Sequence, residues 1–165
     1  MSMARTPNTE DSRGGTVLYE TVSLLSACLN PDEIEYEFVR LLLEHGADPN
    51  IKDSRGDNCM ACVCGGDIFS ISHVDLRLMK MLVEHGAEVN SINSYGRTPL
   101  TSCIESAGFD YEDSNLEALK FLVESGADVN MKDGRGISPL MCDIRPQCDY
   151  GDEMTKYLVA HGAKE

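Results

Sequence analysis

Basic residues are scarce in this chain: 14 Lys and Arg stand against 28 Asp and Glu, a formal charge of −14. Nucleic acid and anionic membrane surfaces would meet net repulsion, so neither is expected as a partner. Long apolar runs are missing too. Runs such as Val39 to Leu43, with Arg40 inside, fall far short of a bilayer span, and the opening MSMARTPNTEDSRGG has no apolar stretch of the kind a signal peptide needs. A cytoplasmic chain is expected. An even cysteine framework is also lacking: seven cysteines at 28, 59, 62, 64, 103, 142 and 148 read as reduced thiols. With 42% hydrophobic and 25% charged residues, the chain has the composition of one folded domain rather than of a disordered segment.

Signatures of catalysis are missing as well. No Gly-rich loop joins a strand to a helix, no pair of carboxylates has a catalytic spacing, and no Ser or Cys sits in a nucleophile elbow. His45, His85 and His161 recur, but each precedes a Gly-Ala pair at the expected C-terminal end of a helix. A cationic imidazole there favours the helix dipole, which is a structural reason for the set. No enzymatic activity and no cofactor are expected.

Self-similarity is what the chain does contain. LLLEHGADPNIKDSRGDN, MLVEHGAEVNSINSYGRTPL, FLVESGADVNMKDGRGISPL and YLVAHGAKE are copies of one phrase, with Gly-Ala beginning at 46, 86, 126 and 162, at intervals of 40, 40 and 36. A period in this range means stacked units, because one such unit cannot bury its apolar face alone. Within each phrase the leucine-rich run ends a helix, and the glycine takes the left-handed position after it. Asp53 to Gly56, Asn93 to Gly96, Asp133 to Gly136 and Asp11 to Gly14 then supply tight turns. Thr98-Pro99-Leu100 and Ser138-Pro139-Leu140 place a hydroxyl at a helix N-cap and a proline in the first turn, so a new helix starts at each. Thr16 and Asn58 keep the cap without the proline.

This pattern resembles the ankyrin repeat, whose Thr-Pro-Leu-His-x-Ala signature recurs every 33 residues or so. The likeness spans about residues 11 to 165. It implies an all-α repeat solenoid in which each unit has a β-hairpin-like finger followed by two antiparallel helices. Residues 1–10 are expected as a flexible N-terminal segment, and 11–165 as one domain of units 11–52, 53–92, 93–132 and 133–165. The units exceed the family period, and the extra length falls between their helices at 30–35, 65–73 and 108–114. Long segments there are similar to those of poxvirus ankyrin proteins, although no F-box-like extension follows Lys164-Glu165. The signature histidine is replaced by Tyr19, Ala61, Thr101 and Met141, which puts finger rigidity in question, and no polar capping repeat follows Tyr157, Leu158 and Val159.

The family binds proteins through its finger tips and first helices. Carried over, the contact positions are Arg55, Asp57, Tyr95, Arg97, Arg135 and Ile137 on the fingers, with Ser102, Glu105 and Arg145 on the first helices. Tyr95 between basic tips is the best single anchor, because Tyr and Arg dominate interface hot spots. The alternative is an ordinary solvent-facing turn residue. Along the inter-helix edge, Asp32, Glu33, Glu35 and Glu37, then Asp110, Glu112, Asp113 and Glu117, then Asp149, Asp152 and Glu153 form an acidic ridge suited to a basic partner, or simply solvated loops.

Two further readings attach to single residue types. Cys59, Cys62, Cys64 and His73 have donor chemistry suited to zinc, which would make the chain metal- or redox-responsive. A helix turns about 100° per residue, however, so Cys62 and Cys64 point apart and small-residue packing is the simpler role. Asn50, Asn90 and Asn130 each lie eight residues after a leucine, the arrangement in which ankyrin asparagines can be hydroxylated. Their simpler role is turn hydrogen bonding. The sequence therefore reads as a monomeric interaction module that binds, tethers or inhibits another protein. A viral host-range adaptor working in the host cytoplasm, or a bacterial masking or immunity protein, would fit.

Overall fold

A computed structural model describes residues 6–27, 32–64, 74–106, 114–142 and 151–164. Each helix begins and ends on chemistry that lies within a few residues of it. Helix α1, Val17–Ser26, starts where the Thr16 hydroxyl accepts from the Tyr19 N–H. Helix α2, Glu33–Glu44, starts on a capping box: Asp32 accepts from the Ile34 and Glu35 N–H groups, and the Glu35 side chain reaches back to the Asp32 N–H. Asn58 caps the short α3, Cys59–Val63, and Asp75 caps α4, Leu76–Glu84. At α5, Pro99–Ser106, Thr98 and Thr101 bond each other's backbone N–H through their hydroxyls. Helices α6, Ser114–Glu124, and α7, Gly151–Ala160, complete the set.

One expected helix start is different. Pro139–Met141 forms a single 3-10 turn, and Ser138 makes no side-chain cap bond. Its hydroxyl is buried without a partner. Without the cap bond that starts the other first helices, the described chain does not run on past one turn at this point.

The ends of the long helices are uniform. Gly46, Gly86, Gly126 and Gly162 have φ of 84°, 87°, 95° and 90°, and the following alanine N–H bonds back to Leu42, Leu82, Leu122 or Leu158 at 2.9–3.0 Å. This closure needs a left-handed residue, which only glycine supplies without strain. His45, His85 and His161 add Nδ1 contacts of 2.7–2.8 Å to the carbonyl four residues back, so each ring donates to the helix end that it was expected to serve.

The helices pack in two rows: α1 on α3 in one, and α2, α4, α6 and α7 in succession in the other, with α1–α2, α3–α4 and α5–α6 paired across. One continuous core joins them, from Leu18 through Met60, Leu78, Leu82, Leu100 and Leu122 to Leu158. Among the described residues there is no β-strand, and one isolated antiparallel bridge joins Glu10 to Thr16. No described helix is long and apolar enough to cross a membrane.

Candidate protein-binding face

Four turns on one edge of the stack share a single geometry. In the second, the Asp53 N–H donates to the Asp57 carbonyl at 2.8 Å and the Gly56 N–H to the Asp53 carbonyl at 2.9 Å. The Asp53 carboxylate accepts from the Arg55 and Asp57 N–H groups at 2.9 and 3.0 Å. Asp11, Asn93 and Asp133 repeat this arrangement with their own turns. Burial by itself would raise the Asp53 and Asp133 carboxyls, but the backbone N–H groups and the neighbouring arginine outweigh it, and both lie below the usual carboxylate range. Asn93 differs: its amide NH2 is buried without a partner.

The turns are braced to one another without the family histidine. Ser54 N–H donates to the Arg13 carbonyl at 2.7 Å, and Gly134 N–H to the Gly96 carbonyl at 2.6 Å. A Cβ on Gly134 would come within 3.1 Å of the Gly96 backbone, so the close approach requires glycine. Between the second and third turns the brace is a carboxylate: Asp57 accepts from the Ser94 N–H at 2.7 Å and from its hydroxyl at 2.9 Å.

That brace corrects one expectation. Asp57 is buried, 5% exposed, and its oxygens are engaged by the next turn, so it is not the exposed finger position expected from the sequence. Ser102 is corrected likewise, buried at 2% exposure in α5, on the side packed into the stack. Ile137 is half-buried and packs on the core. Arg145 lies outside the described residues, as does His73.

The arginines are tied down from below. Arg55 donates to Asp53 at 3.1 Å and to the Tyr19 hydroxyl at 3.0 Å. Arg135 reaches Asp133 and Glu105, each at 2.6 Å. Arg97 Nε lies 2.5 Å from the other Glu105 oxygen as an ion pair. Glu105 of α5 is thus shared by two guanidinium groups from successive turns, with the Arg97 and Arg135 side chains 17% and 34% exposed. Tyr95 stands beside this cluster, 38% exposed, with the Arg97 guanidinium 6.0 Å from its ring centroid. Of the contact positions proposed from sequence, Tyr95, Arg97, Glu105 and Arg135 come together here, and Arg55 belongs to a separate pairing.

The thiols do not converge. Cys62 meets the Tyr19 hydroxyl of the preceding unit, whereas Cys64 is fully buried and pairs with Cys103 of the following one. Burial pushes Cys62 up to about 11 and Cys142 up to about 12, and holds Cys59 higher still. Thiolate, the form that binds metal or reacts, is disfavoured at each. Among the described residues no group of three His, Cys, Asp or Glu could hold a metal ion.

The asparagines have a shared structural role. Asn50 donates to the Gly86 carbonyl at 2.9 Å and accepts from the Glu88 N–H at 2.8 Å. Asn90 does the same to Gly126 and Asp128, and Asn130 to Gly162 and Lys164. Sequence reasoning missed a fourth member. Asn8 bridges Gly46 and Asp48 at 3.1 and 2.7 Å, inside the segment assigned as a flexible lead. The signal was present, since Pro7-Asn8-x-x-Asp11-Ser12-Arg13-Gly14 repeats Pro49-Asn50-x-x-Asp53-Ser54-Arg55-Gly56.

The described part of the acidic edge is partly neutralised. Arg77 grips both Glu33 oxygens and lies over the Tyr36 ring, Glu35 belongs to a cap, and Glu37 pairs with Arg40 at 3.4 Å. The residues of this edge at 110, 112, 113 and 149 lie outside the described set, as does the side chain of Asp152.

A search of the curated proteins finds no match to this chain. The family model for ankyrin repeats, in three copies, matches residues 24–133. That span covers more than half of the chain and contains the second and third turns, the caps at Asp32, Asn58, Asp75 and Thr98, and the α3–α4 and α5–α6 pairs. The chain belongs to the ankyrin-repeat family, a non-catalytic helical repeat scaffold whose general role is to bind other proteins.

Proposed function

We propose that this chain binds, tethers or inhibits a partner protein through the face made by its finger turns and first helices, built from four units rather than the three matched by the family model. The observation that carries this reading is the cluster of Tyr95, Arg97, Glu105 and Arg135. A partly exposed aromatic stands beside two guanidinium groups that share one carboxylate, so a partner group can pack on the ring while its polar atoms meet preset donors. Rigid turns hold these groups, which keeps the entropy lost on binding small. The net charge of −14 would steer a basic partner toward the molecule, with the cluster fixing register after encounter. A cytoplasmic adaptor of viral origin and a bacterial masking protein both suit this description.

Capture of partners on immobilised wild-type chain, followed by titration of the captured protein, tests the reading. Tyr95→Ala is expected to weaken binding by about tenfold or more, as hot-spot truncations do, with its thermal melt unchanged. Reversing both Arg97 and Arg135 to Glu should weaken it further. Affinity that survives both variants would sink the finger-face reading.

A further inference from the structure

The first unit exposes large apolar side chains that later units bury. Val17 is 51% exposed and Leu24 67% on α1; Ile34 is 77%, Phe38 46% and Leu41 43% exposed on α2. Ile34, Phe38 and Leu41 are spaced i, i+4, i+7 on α2, and Val17 and Leu24 i, i+7 on α1, so each set lies on one side of its helix, and the paired helices bring the two sets side by side. Several of their described counterparts in later units are covered. Cys59, Pro99 and Pro139 occupy the slot of Val17 and are buried. Val74, at 5%, takes that of Ile34, and Leu78, Ala118 and Met154, at 0%, 0% and 1%, take that of Phe38. Inside the stack, what covers this face is the helix pair of the preceding unit.

We infer that the α1/α2 face of the first unit is a homodimer surface, covered by the same face of a second copy of this chain. Area supports it. The five side chains expose on the order of 500 Å², near the top of the range for the largest patch of a monomer. With its polar rim, such a patch approaches the roughly 800 Å² per partner of a stable interface.

Charge placement also supports it. An isologous contact needs a patch complementary to itself under a two-fold rotation. Glu37 and Arg40, paired at 3.4 Å, flank Phe38 on α2. A two-fold axis near Phe38 runs the two α2 helices antiparallel and sets Glu37 of each copy against Arg40 of the other. A head-to-tail copy fits less well. The far end of the stack offers only Met141, 57% exposed, and Val159, 55% exposed, among the described large hydrophobics, too little to match five side chains, and such a contact would not close.

Sedimentation equilibrium of the full chain across the micromolar range provides the test. Wild type is expected to form a saturable dimer. Phe38→Glu and Ile34→Glu should each raise the dissociation constant by about a hundredfold, since charge enters a desolvated patch, with the far-UV spectrum unchanged because both side chains are already exposed. Glu37→Arg alone should weaken the dimer, and adding Arg40→Glu should restore it. Tyr95→Ala should leave association unchanged, which keeps this surface distinguishable from the finger face. A wild type that stays monomeric overturns the inference. So does a dimer indifferent to Phe38→Glu, or one disrupted instead by Val159→Glu.

Discussion

The two ends of the stack differ in opposite ways. The first unit is locally complete: Thr16 and the Asp32–Glu35 box cap its helices, and Asn8 opens the asparagine ladder. Yet its outer face is apolar and uncovered. The last unit is locally poor, with a single 3-10 turn and an uncapped Ser138, but among its described residues only Met141 and Val159 are large exposed hydrophobics. Local completeness and satisfied packing are therefore separate properties in a solenoid. The first is a matter of a few neighbouring residues; the second depends on whether another unit lies alongside.

The sharpest way to break this comparison is to make one substitution in the same slot of two units. Leu78→Ala removes a side chain at 0% exposure and should cost about 2–5 kcal/mol in a urea melt. Phe38→Ala, at the same position of the first unit, should cost about 0.5 kcal/mol or less in the dilute monomer. Equal losses would mean that the outer face is not open. A smaller contrast lies in the caps. Thr98→Ala should cost about 1 kcal/mol, whereas Ser138→Ala should be neutral or slightly stabilising, because it removes a buried hydroxyl that bonds nothing.

The smallest effect concerns acid. Asp53 and Asp133 have folded-state pKa values below the unfolded value, so their contribution is present above about pH 4 and fades as pH falls through the folded values. Hydrogen exchange at the backbone N–H groups that Asp53 and Asp133 hold should then rise in acid before it does at the Tyr95 and Arg97 N–H groups, which bond the uncharged Asn93 amide instead. Asp53→Asn should remove the difference at its own turn. Simultaneous loss of protection at all the turns would show that the carboxylates are not responsible.

Most of the local structure was legible in the residues. Gly46 and its repeats, the Asp and Asn turns, and the caps at Thr16, Asn58 and Thr98 act within about five residues of themselves, and short-range hydrogen bonds with special backbone angles leave a recognisable spacing. The site was legible in part. Tyr95, Arg97, Glu105 and Arg135 were named from their slots, but not that one glutamate would hold two of the arginines. Asp57 and Ser102 were misplaced, because Ser94, 37 residues after Asp57, arrives only once two turns stack.

The sequence by itself determined the repeat, its turns and its helix ends, since each is decided by a side chain and its nearest backbone. Only the tertiary structure decided which copies of a repeated slot are buried. Phe38 and Leu78 occupy equivalent positions in their helices, yet Phe38 is 46% exposed while Leu78 is sealed inside the stack. Burial is a property of what packs alongside, and no window of sequence around either residue contains that neighbour.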